Sequence, residues 1–226
     1  MKYFCISLFL FFLNCKKEHQ ETVLAKNESD SVIIENPETK KDSSVTSIEK
    51  VDSEPKIYDS EFLPPEKVLI NNHNYLLPKK QFDQIYPKLD STRTAIWECG
   101  DPFEWLDVDW MTKTYGPKSK TSYEYENYDG YITSLYSKKI YFLTNKNKVL
   151  FFEMKMTGNN FKVKEHDIIL TEATTKSEFE KMFPKANKWD ESDTYVMQLD
   201  NVYDAQFVFI FKNGKLDDIH LWWLLC

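Results

Sequence analysis

Glycine is scarce in this 226-residue chain: five residues stand singly at positions 100, 116, 130, 158 and 214. A phosphate-cradling loop needs several glycines within a few residues, so none can be assembled here. Histidine is equally thin. His19, His73, His166 and His220 are dispersed, and none stands at metal-ligand spacing from another His, a Cys or a carboxylate. There is no HExxH and no CxxC, which excludes the familiar zinc arrangements. No serine sits in a G-x-S-x-G elbow. Cys99 lies between Glu98 and Asp101, an acidic setting that works against a thiolate nucleophile. A basic excess is missing too: the formal net charge is −7, which argues against nucleic acid as a partner. The residues point to no catalytic group, no cofactor and no metal.

The apolar run that opens the chain, Tyr3–Leu13, follows Lys2 and stops just before Cys15. It falls well short of the ~20 residues that span a bilayer and has the layout of a secretory signal. With Phe12-Leu13-Asn14-Cys15 as a relaxed lipobox, it resembles a bacterial lipoprotein signal. That resemblance implies removal of residues 1–14, palmitate-type acylation of Cys15 and a membrane anchor in the cell envelope. Lys16-Lys17-Glu18 resembles the lysine-plus-acid signal of Bacteroidota lipoproteins, which implies the outer membrane, on its periplasmic or cell-surface face. The other reading is an uncleaved signal anchor with an incidental cysteine. Residues 16–60 hold one aromatic, Tyr58, against seven Lys and eleven Asp or Glu. Such a stretch cannot bury enough apolar surface to offset ordering. Residues 15–60 are therefore expected to be a disordered tether with a root-mean-square span of ~35–40 Å.

Residues 61–226 carry all six tryptophans and 29 of the 35 aromatic residues, enough for one ring-rich domain. With Cys5 in the signal and Cys15 lipidated, Cys99 and Cys226 are left as a candidate disulfide or as two unpaired thiols. Two stretches read alike, "KKQFDQIYPK" at 79–88 and "KSEFEKMFPK" at 176–185. Phe82, Ile85, Tyr86 and Phe179, Met182, Phe183 fall on one helical face, and Pro87 and Pro184 end each helix. "DWMTKTYGPK" at 109–118 is a looser copy, ending at Gly116-Pro117. Strand-like runs follow, "TSYEYENYDGYITSLY", "KKIYFLTNKNKVLFFEMKMTGNNFKV" and "DTYVMQL" to "KLDDIHLWWLL", with Asn213-Gly214 as a hairpin turn. The fold class expected is α+β: an antiparallel meander sheet with short helices on one face, built from two or three helix–strand repeats. The strand suggested by Thr92–Trp97 has no assigned neighbour.

Tyr115-Gly116-Pro117 with "NKVLFF", and Phe183-Pro184 with "NGKLDDI", resemble the helix-plus-meander repeat of the β-lactamase inhibitor protein and of SmpA/OmlA-type lipoproteins. The resemblance implies a protein-binding fold and no catalytic residue. Tyr123, Tyr125, Tyr128, Tyr131, Tyr136 and Tyr141 are expected on neighbouring strands, either as a partner-binding face or as core tiling. The acids of 101–110 and 189–193 read as a helix cap and a turn. The expectation is a lipid-anchored, non-enzymatic envelope protein that binds an unidentified protein. An immunity or inhibitor lipoprotein is a special case of it. The contrasting reading is an enzyme or small-ligand carrier, with a pocket lined by His166, His220 or the acids of 101–109.

Overall fold

Proline and glycine set the helix ends where the sequence places them. In the computed structural model, which describes residues 56–97, 101–189, 192–200 and 204–223, α1 is Lys79–Ile85, α2 is Pro102–Leu106, α3 is Val108–Tyr115 and α4 is Lys176–Met182. Asp101 caps α2 by accepting from the Phe103 N–H, with Pro102 at the first helical position. Gly116 ends α3 at φ +85°, where a side chain would be strained. Helix α4 begins with a reciprocal cap: Thr175 Oγ1 accepts from the Glu178 N–H, and the Glu178 carboxylate accepts from the Thr175 N–H at 2.8 Å. Thr175→Ala removes half of it and is expected to lower stability by about 1 kcal/mol, read as a shift in the urea midpoint.

The strands are β1 (Val68–Ile70), β2 (Leu76–Pro78), β3 (Ser91–Ile96), β4 (Tyr131–Ser137), β5 (Ile140–Asn145), β6 (Lys148–Lys155), β7 (Phe161–Val163), β8 (Ile168–Leu170), β9 (Asn187–Lys188), β10 (Thr194–Gln198), β11 (Ala205–Lys212) and β12 (Lys215–Trp223). The main sheet runs β3-β4-β5-β6-β12-β11-β10-β9, with β2 beside β6, and its ladders are antiparallel. A small sheet has the order β1-β7-β8. The fold is α+β, an antiparallel meander with short helices. Asn213-Gly214 joins β11 to β12 with both residues at positive φ, the mirror-image turn that matches strand twist. The same turn joins β4 to β5 through Lys138 and Lys139, at φ 51° and 63°, where the sequence offers no glycine.

Phe82 and Tyr86 stack on each other and pack on Phe142 of β5, Phe82 edge-on, Phe179 of α4 packs on Phe209 and Phe211 of β11, and Phe161 of the small sheet meets Phe207 and Phe209. By strand alternation these residues share one face of the main sheet. Helix α3 meets β5 from the opposite parity, where Tyr115 donates to the Asn145 side chain. Over β10, β11 and β12 no described helix lies on that second face.

The packed body begins before the expected boundary at Glu61. Tyr58 is buried, its ring edge-on to His166 at 4.8 Å, and its N–H donates to the Met182 carbonyl at 2.7 Å. A single aromatic in a polar stretch looked like tether, but here it caps the core beside Phe183.

Candidate functional site

The six tyrosines do not form one face. Tyr123, Tyr125 and Tyr128 lie in the connection between α3 and β4, outside any strand, with only an isolated Lys118–Tyr125 bridge. The alternating Tyr-Glu pattern there has no partner strand to reward it. Tyr125 is buried and Tyr123 is 75% exposed, so the two cannot serve together. Tyr131 and Tyr136 both sit on β4, five residues apart, and alternation sends them to opposite sides. Tyr136 and Tyr141 do share a face: they are paired across β4 and β5 and stack at 4.5 Å, and Tyr141 Oη hydrogen-bonds Ser134 Oγ at 2.8 Å.

From that stack a line of rings continues across the sheet. Tyr141 meets Phe152 at 4.8 Å, Phe152 meets Trp223 at 5.4 Å, and Trp223 stacks on Trp97 at 6.1 Å. Phe152 is the extra residue of a bulge, since Tyr141 pairs with Glu153 while Phe142 pairs with Phe151. The line ends where the sheet forks. Strand β12 pairs with β6 through Asp218–His220, then continues only alongside β11, while β6 has β2 as its neighbour over Lys148–Leu150. Between the parted strands lies a cleft of about 260 Å³ lined by Trp97, Phe152, Glu153, His220, Leu221, Trp222 and Trp223. Trp189 leans on Trp222 from the rim.

A second cleft, of about 400 Å³, shares Trp97 as a wall and is lined by Asp101, Glu104, Glu124 and Asp129 with Ile96, Tyr125, Tyr128 and Gly130. Lys118 neutralises Glu104 at 2.7 Å. Burial pushes the Asp101 carboxyl up, against the Phe103 N–H and the Asn145 amide that donate to it. Burial and Asp101 together raise the Tyr128 phenol strongly and take Tyr115 to about 12.

The floor of the first cleft carries ionisable side chains. Glu153 is paired with His220, and Lys155 with Asp218, across β6 and β12. Lys155 Nζ lies 2.6 Å from Asp218 Oδ2, and His220 Nδ1 lies 3.8 Å from Oδ1. Burial works against the Asp218 charge, but His220 and Lys155 outweigh it and hold the group low. Burial and the Asp218 carboxylate push Glu153 up. Asp218 Oδ1 is enclosed and has no hydrogen-bond partner. A carboxyl raised in the folded state stabilises below its unfolded pKa of about 4.3, and that contribution is lost as pH rises through the raised value. Asp218, lowered, behaves oppositely and keeps its contribution until the pH falls through its own value. Glu153→Gln keeps a hydrogen-bond donor without the titration. Its advantage over the wild type in urea unfolding is expected to grow as pH rises from about 4.3 through the raised value and to level off above it.

Among the described residues no three His, Cys, Asp or Glu side chains are arranged to hold a metal ion. His166 packs under Tyr58 and lines neither cleft. His220 lines the first, and Asp101 and Glu104 the second. Cys15, Cys99 and Cys226 lie outside the described residues. The Trp97–Trp223 stack nevertheless brings together positions two residues before Cys99 and three before Cys226. The parity of Asp218, His220 and Trp222 in "KLDDIHLWW" was a sequence signal for this floor; the bulge and the fork were not readable. Compared with models of known protein families, with curated proteins and with solved structures, the chain matches none of them.

Proposed function

We propose that this chain is a non-enzymatic binding module, moored to the outer membrane by lipid on Cys15, that captures a partner protein on its ring-lined sheet face. The observation that carries the reading is the line Tyr136, Tyr141, Phe152, Trp223 and Trp97, ending in an apolar cleft of about 260 Å³. Tyr136, Tyr141, Phe152, Trp97 and Trp222 are partly exposed and Trp223 is buried behind them, and such rings around an apolar pocket are what interface anchors require. The partner's class, including a toxin or hydrolase to be neutralised, follows from its identity rather than from this face.

The test places a photoreactive benzophenone side chain at Tyr136, at Trp222 or at Lys181 on the helix-covered side, in the full chain in its native membrane. Adducts to one protein from the first two positions and none from Lys181 are expected. Adducts from Lys181 alone would reject the face. Intact mass of the membrane-extracted chain should show an acylated Cys15 terminus. The same sample, alkylated without reductant, should leave Cys99 and Cys226 unmodified if they are joined, a loop closure worth up to ~4–5 kcal/mol.

A second reading is favoured by the Glu153–Asp218–His220 group at the cleft floor, which would suit a small-ligand carrier. Tryptophan-emission changes with small apolar amines, in the absence of any protein adduct, would move the reading to it.

A further inference from the structure

Strand β3 forms one end of the main sheet, paired to β4 over all six residues, Ser91–Ile96, and on its other side to nothing among the described residues. The Trp97 N–H donates to the Gly130 carbonyl at 2.8 Å and extends the same register. Antiparallel ladders alternate inward and outward groups, so Ala95 and Arg93 turn their amides toward β4, while Thr92, Thr94 and Ile96 turn theirs outward. The strand is exposed almost throughout, and Ile96 is 59% exposed. Natural edges are usually blunted by proline, bulges or several charges; this one carries a single charge, Arg93, the only arginine in the chain.

The strand runs directly into Trp97, the wall common to both clefts. One cleft is apolar. The other holds four carboxyls against one paired lysine. A strand laid along β3 would send alternate side chains to opposite sides, and these two linings differ in the way such alternation can use. We infer that the free edge of β3 receives an extended basic segment of the partner as an added strand, with an apolar side chain entering the Trp97–Trp222 cleft and a Lys or Arg entering the acidic one. This rests on the partner-binding reading and assigns it a mode, strand addition, in which main-chain bonds supply affinity and the clefts supply choice.

The probe is a capped octapeptide alternating Lys and Val, titrated into the full chain by calorimetry and tryptophan emission. A Glu–Val octapeptide should bind at least tenfold more weakly. Two N-methylated forms, blocked at odd or at even positions, should differ: one loses at least tenfold and the other binds like the parent. Thr94→Pro removes an outward N–H and keeps the backbone bonds to β4, losing only the hydroxyl contact with Thr133, and should abolish peptide binding with circular dichroism unchanged. Equal binding by both methylated forms overturns strand addition, and it decides alone if Thr94→Pro does not fold. Absence of Lys–Val binding, with the Trp222 adduct to the native partner retained, overturns the mode and leaves the binding face standing. Loss of that adduct removes the reading itself. A dimer in sedimentation that Thr94→Pro dissolves assigns the edge to a second copy and likewise overturns the inference.

Discussion

Phe179→Ala is expected to cost about 3–5 kcal/mol, a large part of the 5–15 kcal/mol that keeps an ordinary domain folded. The ring is fully buried and is the hub of the helix-covered side: it lies 4.8 Å from Phe183, 5.3 Å from Tyr195, 4.9 Å from Phe209 and 5.3 Å from Phe211. With the Tyr195–Glu180 hydrogen bond and the Phe183–Phe209 contact, it ties α4 to β10 and β11. Cutting it to a methyl group removes the transfer energy of a phenyl ring and leaves a hole among four other rings, none of which can collapse far in a close-packed interior. Phe179→Leu keeps most of the volume and should cost roughly half as much. Urea unfolding at constant m-value measures both; a loss below about 1 kcal/mol for the alanine variant would mean that α4 is not part of the cooperative unit.

Trp97→Ala is expected to weaken the partner by about 2 kcal/mol or more, near thirtyfold in Kd. Trp97 stacks on Trp223, meets Phe152 edge-on at 6.2 Å and divides the apolar cleft from the acidic one. Its removal merges the two linings and admits water to both. Trp189, by contrast, is 45% exposed at the rim, and Trp189→Ala should change affinity by less than about 0.5 kcal/mol. The contrast between the two variants is the measurement. Equal losses would mean that affinity follows ring count and not the cleft. Tyr125→Ala is no test of the surface, because Tyr125, one of the six tyrosines considered for a partner-binding face, is buried and packs under Lys118.

The helix ends and the last hairpin were legible because single residues decide them. Pro87, Pro184 and Gly116 permit no continuation, and Asn213-Gly214 permits the one turn that twisted strands favour. The Asp101-Pro102 cap was legible for the same reason. The clefts were not, because they come from non-local pairing: the choice of β2 over β12 as the neighbour of β6, and one extra residue at Phe152. The tyrosines misled for a related reason. Alternation of Tyr123, Tyr125 and Tyr128 satisfies a local rule, but a strand also needs a neighbour, and β4 is already paired on both sides by β3 and β5. Tyr58 shows the converse: composition marks the residues around it as unfoldable, while a ring-sized gap beside His166 and Phe183 recruits it.

That recruited segment sets how the body responds to load. The Tyr58 and Leu63 amides are gripped by the Met182 and Gln198 carbonyls, at 2.7 and 2.8 Å, and Phe62 runs parallel to Gln198. Tension arriving along the upstream chain meets a buried ring and two bonds on different elements before it reaches the sheet ladder. The joint should behave as a mechanical clamp: force-extension traces pulled from the amino end should show this short stretch peeling first, as a small separate step, with the β11–β12 hairpin giving way only afterwards.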